Sequence, residues 1–233
     1  MITVFLPCRA GSVRIPEKNT KTFAGVEGGL LHIKLKQLIK TKNIDKVVLS
    51  TNDPKVIKIA SEIESKKIHI DHRAEKLSTS STSTDDLIAY VPSIIDDEHI
   101  LWTHVTSPFI SDKTYEKAIN KYYSILSETQ FDSLMSVNKI QTFIWNENAP
   151  INYDRAKEKW PRTQTLPSLF EINSGFFLSS RKNYIQYKDR IGKRPFLYET
   201  KHYESFDIDW PQDLLLAEYI YKTKKDENYT LGL

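Results

Sequence analysis

At 233 residues, with 39% hydrophobic side chains against 27% charged, the chain can fill one sizeable α/β core and has too many core formers for a disordered protein. A net charge of +3, with lysines dispersed among acidic residues, is too small to mark a nucleic-acid binder. One cysteine, Cys8, excludes an internal disulfide, and no apolar run approaches the ~18 residues of a membrane span. With no leader ahead of its first strand, the sequence leads to the expectation of a cytoplasmic protein.

Thr3-Val-Phe-Leu-Pro7 reads as a buried strand that breaks at once into a loop carrying Arg9, Ala10, Gly11, Ser12, Arg14, Lys18 and Asn19. Such a loop suits phosphates. Gly11 lets the backbone approach an anion, and the guanidinium and ammonium groups supply charge and directed donors. The spacing is that of neither a Walker loop nor a dinucleotide fingerprint. Cys8 reads as a small buried residue rather than a nucleophile, because no histidine motif accompanies it.

Strand-like and helix-like periods then alternate, the pattern of βαβ units and a mostly parallel sheet. Leu30, Leu31, Ile33, Leu35, Leu38 and Ile39 mark a helix, and Asp45 to Thr51 a buried strand. Asp53 is placed to cap a helix opened by Pro54 and carrying Val56, Ile57, Ile59, Ala60 and Ile63. After a short strand at Ile68 to Ile70, the Ser/Thr-rich tract from Leu77 to Asp86 reads as a loop until Ser83 or Thr84 caps the next helix. The tract is either a solvated linker or a loop over a ligand.

Ile100 to Val105 predicts a central strand stopping at Thr106-Ser107-Pro108, and ligands of open parallel sheets collect at such carboxyl ends. His104 there is either a structural residue or a substrate contact. Asp112 is expected to cap a helix reaching about Leu126, and Ser133 to Asn138 is a further strand. The segment 139–172 is irregular and aromatic, with Phe143, Trp145 and Trp160, which predicts burial against a second subunit. Phe176, Phe177 and Leu178 mark the strand that follows it.

Near the C-terminus, Asp207 and Asp209 share one face of an extended segment with Ile208 on the other, so both carboxylates can converge on a hard cation such as Mg²⁺. Pro211 opens a helix whose expected buried stripe is Leu214, Leu215, Ala217 and Ile220. Alone, Asp-x-Asp is also a common way to end a strand.

Arg9, Ser12, Pro16, Lys18 and Asn19 match Arg-x-x-Ser-x-x-x-Pro-x-Lys-Asn, and Asp207, Asp209, Asp213, Ala217 and Glu218 match a closing Asp-x-Asp-x-x-x-Asp-x-x-x-Ala-Glu. In both, and across nearly its whole length, the chain resembles the CMP-sialic acid synthetase (acylneuraminate cytidylyltransferase) family. The resemblance implies a single domain over 1–233 with a three-layer α/β/α, mostly parallel Rossmann-like nucleotidyltransferase sheet. It implies a dimerisation excursion at 139–172 and hence a homodimer. The implied reaction joins CTP to a 2-keto-3-deoxy sugar acid with release of pyrophosphate, using Mg²⁺ and neither nucleic acid nor membrane.

By the same resemblance, Arg9, Lys18 and Asp209 are catalytic. Arg9, Ala10, Gly11, Ser12, Lys18, Asn19, Arg73, Ser80 and Ser81 address the nucleotide; His104, Thr106, Ser107, Arg162 and Asn173 address the sugar; Asp207 and Asp209 hold the metal. Arg162 could equally be a residue at a dimer rim. His104 and Ile110 stand where sialic acid enzymes carry Gln and Arg, which leads to the expectation that N-acetylneuraminate is a poor acceptor. Two other readings of the residues are a nucleotide-sugar-dependent glycosyltransferase built on Asp-x-Asp and a non-catalytic nucleotide-binding protein.

Overall fold

The computed structural model describes residues 1–226; residues 227–233, included in the single-domain expectation, lie outside them. In chain order the elements are β1 (Ile2–Pro7), α1 (Gly29–Lys40), β2 (Lys46–Thr51), α2 (Pro54–Ser61), β3 (Ile68–His72), α3 (Thr84–Ile94), β4 (His99–Thr103) and α4 (Asp112–Glu128). They continue with β5 (Ser133–Ile140), β6 (Leu169–Ser180), α5 (Arg181–Tyr187), β7 (Pro195–Glu199) and α6 (Pro211–Asp226). The strands form one sheet in the order β3-β2-β1-β4-β6-β5-β7, in which β6 runs antiparallel to both neighbours and the remaining pairs are parallel.

Strand alternation divides the apolar residues between two cores. Ile2, Val4 and Leu6 of β1 join α1, α2, α4 and α6, while Phe5 joins Trp102, Phe177, α3 and α5 on the opposite face. The result is the three-layer arrangement. Asp53 caps α2 by accepting from the Lys55 N–H at 2.9 Å. Ser83 caps α3, and Asp86 reaches back to the Ser83 N–H at 2.9 Å, completing a capping box.

Several local expectations are corrected. The cap of α4 is Ser111, whose hydroxyl oxygen accepts from the Thr114 N–H at 3.2 Å, with Asp112 one residue inside. In α6 Leu214 and Ala217 are buried, but Leu215 is 68% exposed, because the helix lies on the sheet along the Leu214, Ala217 and Tyr221 edge. The irregular segment also ends earlier than expected. β6 begins at Leu169, breaks register around Asn173-Ser174-Gly175, and resumes beside β4 at Phe176. Leu169 to Ile172 pair with β5 only, and the stretch between β5 and β6 holds little more than a 3-10 turn at Thr163–Thr165 and a Trp145–Pro150 bridge.

Candidate active site

β1 has β2 on one side and β4 on the other, and the chain after it leads to β2 before crossing back to β4. This is the switch point at which open α/β sheets bind ligands. A cavity of about 230 Å³ opens there, lined by Arg9, Ser12, Arg14, Lys18 and Asn19 from the loop after β1 and by His104 and Thr106 after β4.

The loop is anchored at several points. The Ala10 N–H donates to Asn52 Oδ1 at 3.0 Å, and Gly11 adopts φ 75°, which a side chain would strain. Asn19 accepts through its carbonyl from the Leu31 N–H at 2.9 Å, tying the loop to α1. Gly29 makes this approach possible: a Cβ there would sit 2.1 Å from the Lys21 carbonyl oxygen. The Arg9 guanidinium folds onto its own loop, 3.3 Å from the carbonyls of Ala10 and Gly11. Burial pushes the Cys8 thiol up to about 12, so it is a protonated core residue and no nucleophile.

The two aspartates meet this loop. Lys18 Nζ donates to the Ile208 carbonyl at 2.8 Å and lies 3.7 Å from Asp209, while Arg14 Nη2 pairs with Asp209 Oδ1 at 2.9 Å. Ile208 is fully buried and its N–H donates to the Thr106 carbonyl at 3.0 Å, so Asp207 and Asp209 project from the opposite face of the segment, Asp209 about half exposed and Asp207 more enclosed. Burial raises the Asp207 carboxyl above the usual range, opposed by a hydrogen bond from Thr106, and its Oδ1 is buried with no hydrogen-bond partner among the described residues. Burial likewise lowers Lys18. The rest of the closing motif is structural: Asp213 accepts from the N–H groups of Asp209 and Trp210 at 3.0 and 2.7 Å, and Glu218 from the Ala24 N–H at 3.0 Å.

The remaining sequence candidates divide. His104 lines the cavity, and its Nε2 accepts from the Trp102 indole N–H at 3.0 Å, which leaves the proton on Nδ1. Burial, followed by the charges of Arg190, Lys34 and Lys18, lowers its pKa to about 3. Arg73 is buried with Nε and one terminal nitrogen unpartnered. Ser80 and Ser81 are exposed and stand outside the cavity lining.

Others belong to the framework. Ser107 is buried with its carbonyl bound to Lys34. The Asn173 amide is committed to Ser136, Asn138, Thr200 and the Gly175 N–H, holding the β6 irregularity against β5. Arg162 is exposed at the 3-10 turn and is not part of the cavity. Ile110, expected beside the substrate, is fully buried, and a Cβ on Gly175 would meet its Cδ1 at 2.6 Å. It is a core residue and cannot act on the acceptor directly.

Sequence reasoning missed Lys34. Fully buried in α1, it donates to the Ser107 carbonyl and the Tyr115 hydroxyl, both at 2.8 Å, and so holds the turn after β4 from below. Its place within an apolar helical stripe was the available signal: a lysine there must either reach out or find buried acceptors.

The sequence model of the family described as Cytidylyltransferase matches residues 3–230. The chain belongs to the cytidylyltransferase family. As a member it is a CTP-dependent nucleotidyltransferase, which sets aside the glycosyltransferase and non-catalytic readings. It is 24% identical over 230 residues to the pseudaminic acid cytidylyltransferase of Campylobacter jejuni, covering 96% of this chain and 97% of that protein. It is 25% identical over 219 residues to the N-acylneuraminate cytidylyltransferase of Streptococcus agalactiae, covering 90% of this chain and 51% of that protein.

Among solved structures, the fold is shared with a CMP:2-keto-3-deoxy-manno-octonic acid synthetase complexed with CTP, at a TM-score of 0.67 and 14% identity over 96% of this chain and 99% of that one. It is shared also with a 4-diphosphocytidyl-2C-methyl-D-erythritol synthase from Anaerococcus prevotii, at a TM-score of 0.68 and 16% identity over 95% and 96%. Among the described residues no helix is long and apolar enough to cross a membrane.

Proposed function

We propose that the chain transfers CMP from CTP to a 2-keto-3-deoxy sugar acid of the nonulosonic type. The observation that carries this reading is the meeting of Arg9, Ser12 and Lys18 with the Asp207 and Asp209 pair at the ends of β1 and β4. A cationic loop facing two carboxylates suits a triphosphate held with a divalent cation. The names of the nonulosonic-acid relatives in Campylobacter and Streptococcus support the acceptor class.

In this reaction the anomeric hydroxyl oxygen attacks the α-phosphorus and gives up its proton to water, the bond to the α–β bridging oxygen breaks, and pyrophosphate leaves with that oxygen. The protein's work is positioning and charge neutralisation. Arg9 and Ser12 grip the triphosphate, and Lys18, anchored on the Ile208 carbonyl, offsets charge on the departing pyrophosphate. Asn19 and the buried, under-bonded guanidinium of Arg73 address the nucleotide. His104 addresses the acceptor through its Nδ1–H, with Thr106, whose hydroxyl donates to Asp207, lining the same wall.

Asp207 and Asp209 fit Mg²⁺. The cation commonly takes one or two carboxylates with phosphate oxygens and water, and the unpartnered Oδ1 of Asp207 is a buried acceptor of the right hardness. Among the described residues no third acidic, histidine or cysteine side chain joins them. When bound, Mg²⁺ would neutralise triphosphate charge and acidify the acceptor hydroxyl. Arg14 and Lys18 supply counter-charge at Asp209.

The test is pyrophosphate release from each of the four nucleoside triphosphates, against a panel of nonulosonic acids, 2-keto-3-deoxyoctonate and methylerythritol phosphate. The expected result is CTP-selective release with a nonulosonic acid. Turnover of methylerythritol phosphate alone, or of octonate alone, would replace the acceptor class.

A further inference from the structure

The acceptor reading above requires a receptor for a carboxylate, and the sequence candidate, Arg162, is exposed on a 3-10 turn with no contact to a cavity-lining residue among the described residues. Another guanidinium lies at the correct end of the sheet. Arg190 sits in the turn between α5 and β7, half-buried, with its guanidinium carbon 3.7 Å from the centre of the Phe177 ring and 5.2 Å from that of Trp102.

Those two rings are register partners on β6 and β4, just before β4 ends. Side chains alternate along a strand, so His104, two residues after Trp102, projects from the same face. The indole N–H of Trp102 bonds to it directly at 3.0 Å. Trp102 thereby connects Arg190 on one side with the wall of the nucleotide cavity on the other.

The electrostatics of Arg190 are those of a site awaiting an anion. Among the described residues no carboxylate forms an ion pair with it, and its contacts are aromatic faces. The adjacent Asp189 turns its carboxylate to the Ile191 N–H at 3.4 Å. A half-buried guanidinium cannot shed its charge, and stacking on rings occupies its faces while leaving its N–H edge free for a bidentate partner. His104, held by the indole of the same Trp102, supplies a further neutral donor through its Nδ1–H.

We propose that Arg190, with the Nδ1–H of His104, receives the carboxylate of the acceptor sugar acid within the same subunit that binds the triphosphate. This assignment rests on the sugar-acid reading of the site. It also gives the His104 departure a role: a neutral, tautomer-fixed imidazole donates one hydrogen bond to the acid without competing for the Arg190 charge.

The experiment compares the wild-type chain with R190M and R190K, using CTP and the best acid of the panel beside the methyl ester of the same acid. CTP affinity, measured by calorimetry, reports whether each variant retains the nucleotide site. The expected result is a rise in acid KM on the order of 10- to 100-fold in R190M, with CTP affinity within about twofold of wild type. The wild-type preference for free acid over ester should also collapse in R190M. R190K should lose about tenfold, since a point charge does not reproduce the paired donors. If R190M does not bind CTP, R190K carries the comparison alone. An unchanged acid KM with the ester still rejected would overturn the assignment, while a wild-type chain that turns over no sugar acid would instead overturn the acceptor reading.

Discussion

Arg14 pairs with Asp209 across 195 residues of sequence, Nη2 to Oδ1 at 2.9 Å, and stacks its guanidinium 5.0 Å from the centre of the Trp210 ring. The contact joins the opening and closing motifs of the chain. Both side chains are about half exposed, at 45% and 47%, so solvent screens the pair and its worth to stability is only ~0.2–1 kcal/mol. Its value lies in holding a cation at the cavity, where the proposed triphosphate would enter.

Arg14→Ala is therefore expected to unfold within a few degrees of wild type while raising the KM for CTP about tenfold. Thermal unfolding and a CTP titration of one preparation test both halves. An unchanged KM would remove Arg14 from triphosphate binding.

Asp207 is expected to show opposite effects on stability and activity. Burial raises its carboxyl above the ordinary 3.8. As pH rises through 3.8 the unfolded chain ionises first, so the folded state holds the extra proton and stability falls across the window up to the raised value. Asp207→Asn removes that cost, so the ligand-free variant should melt no lower than wild type at neutral pH. Turnover should fall by two or more orders of magnitude, as it should for Asp209→Asn, because a charged cation ligand is lost. Near-normal turnover in either variant would refute the metal assignment.

Lys34 provides a second pH signature, of opposite sign. Burial lowers its ammonium from 10.5 to about 7. Between those values the unfolded chain binds a proton that the folded chain does not, so stability should rise with pH across that range. Lys34→Met should flatten the change in Tm between about pH 7 and about pH 9. It should also loosen the Ser107 turn that Lys34 supports, lowering kcat several-fold. A variant that keeps the wild-type slope would assign the titration to another group.

Within 141–168, Phe143 packs edge-to-face on Tyr153 and Trp160 at 5.2 and 5.5 Å, yet Trp160 remains 67% exposed and Ile172, on the free edge of β6, 51%. A second subunit covering this surface should make the protein a dimer at micromolar concentration in sedimentation. Trp160→Glu combined with Ile172→Lys should give monomers. A monomeric wild-type protein would withdraw both the dimer and any cross-subunit role for Arg162.

Much of the candidate site could be drawn from the sequence because its determinants are local. A strand running directly into Arg9, Gly11, Ser12 and Lys18, a helix opened by Asp53 and Pro54, and two aspartates flanking Ile208 each specify their chemistry within a few residues. Spacing alone places those groups on one face or in one loop. What the sequence could not determine depends on which distant segments meet. Ile110 is a core residue because Gly175 lies against it, and Leu215 is exposed because α6 lies on the sheet along its other edge. Lys34 is tolerable in an apolar helix only because the Ser107 carbonyl and Tyr115 hydroxyl arrive from α4 and the end of β4. Arg190 finds two aromatic faces to stack on only because strand register sets Phe177 beside Trp102. The physical reason is common to all four: burial and charge compensation are properties of contacts between elements, and those contacts are set by sheet order and register rather than by neighbours in the chain.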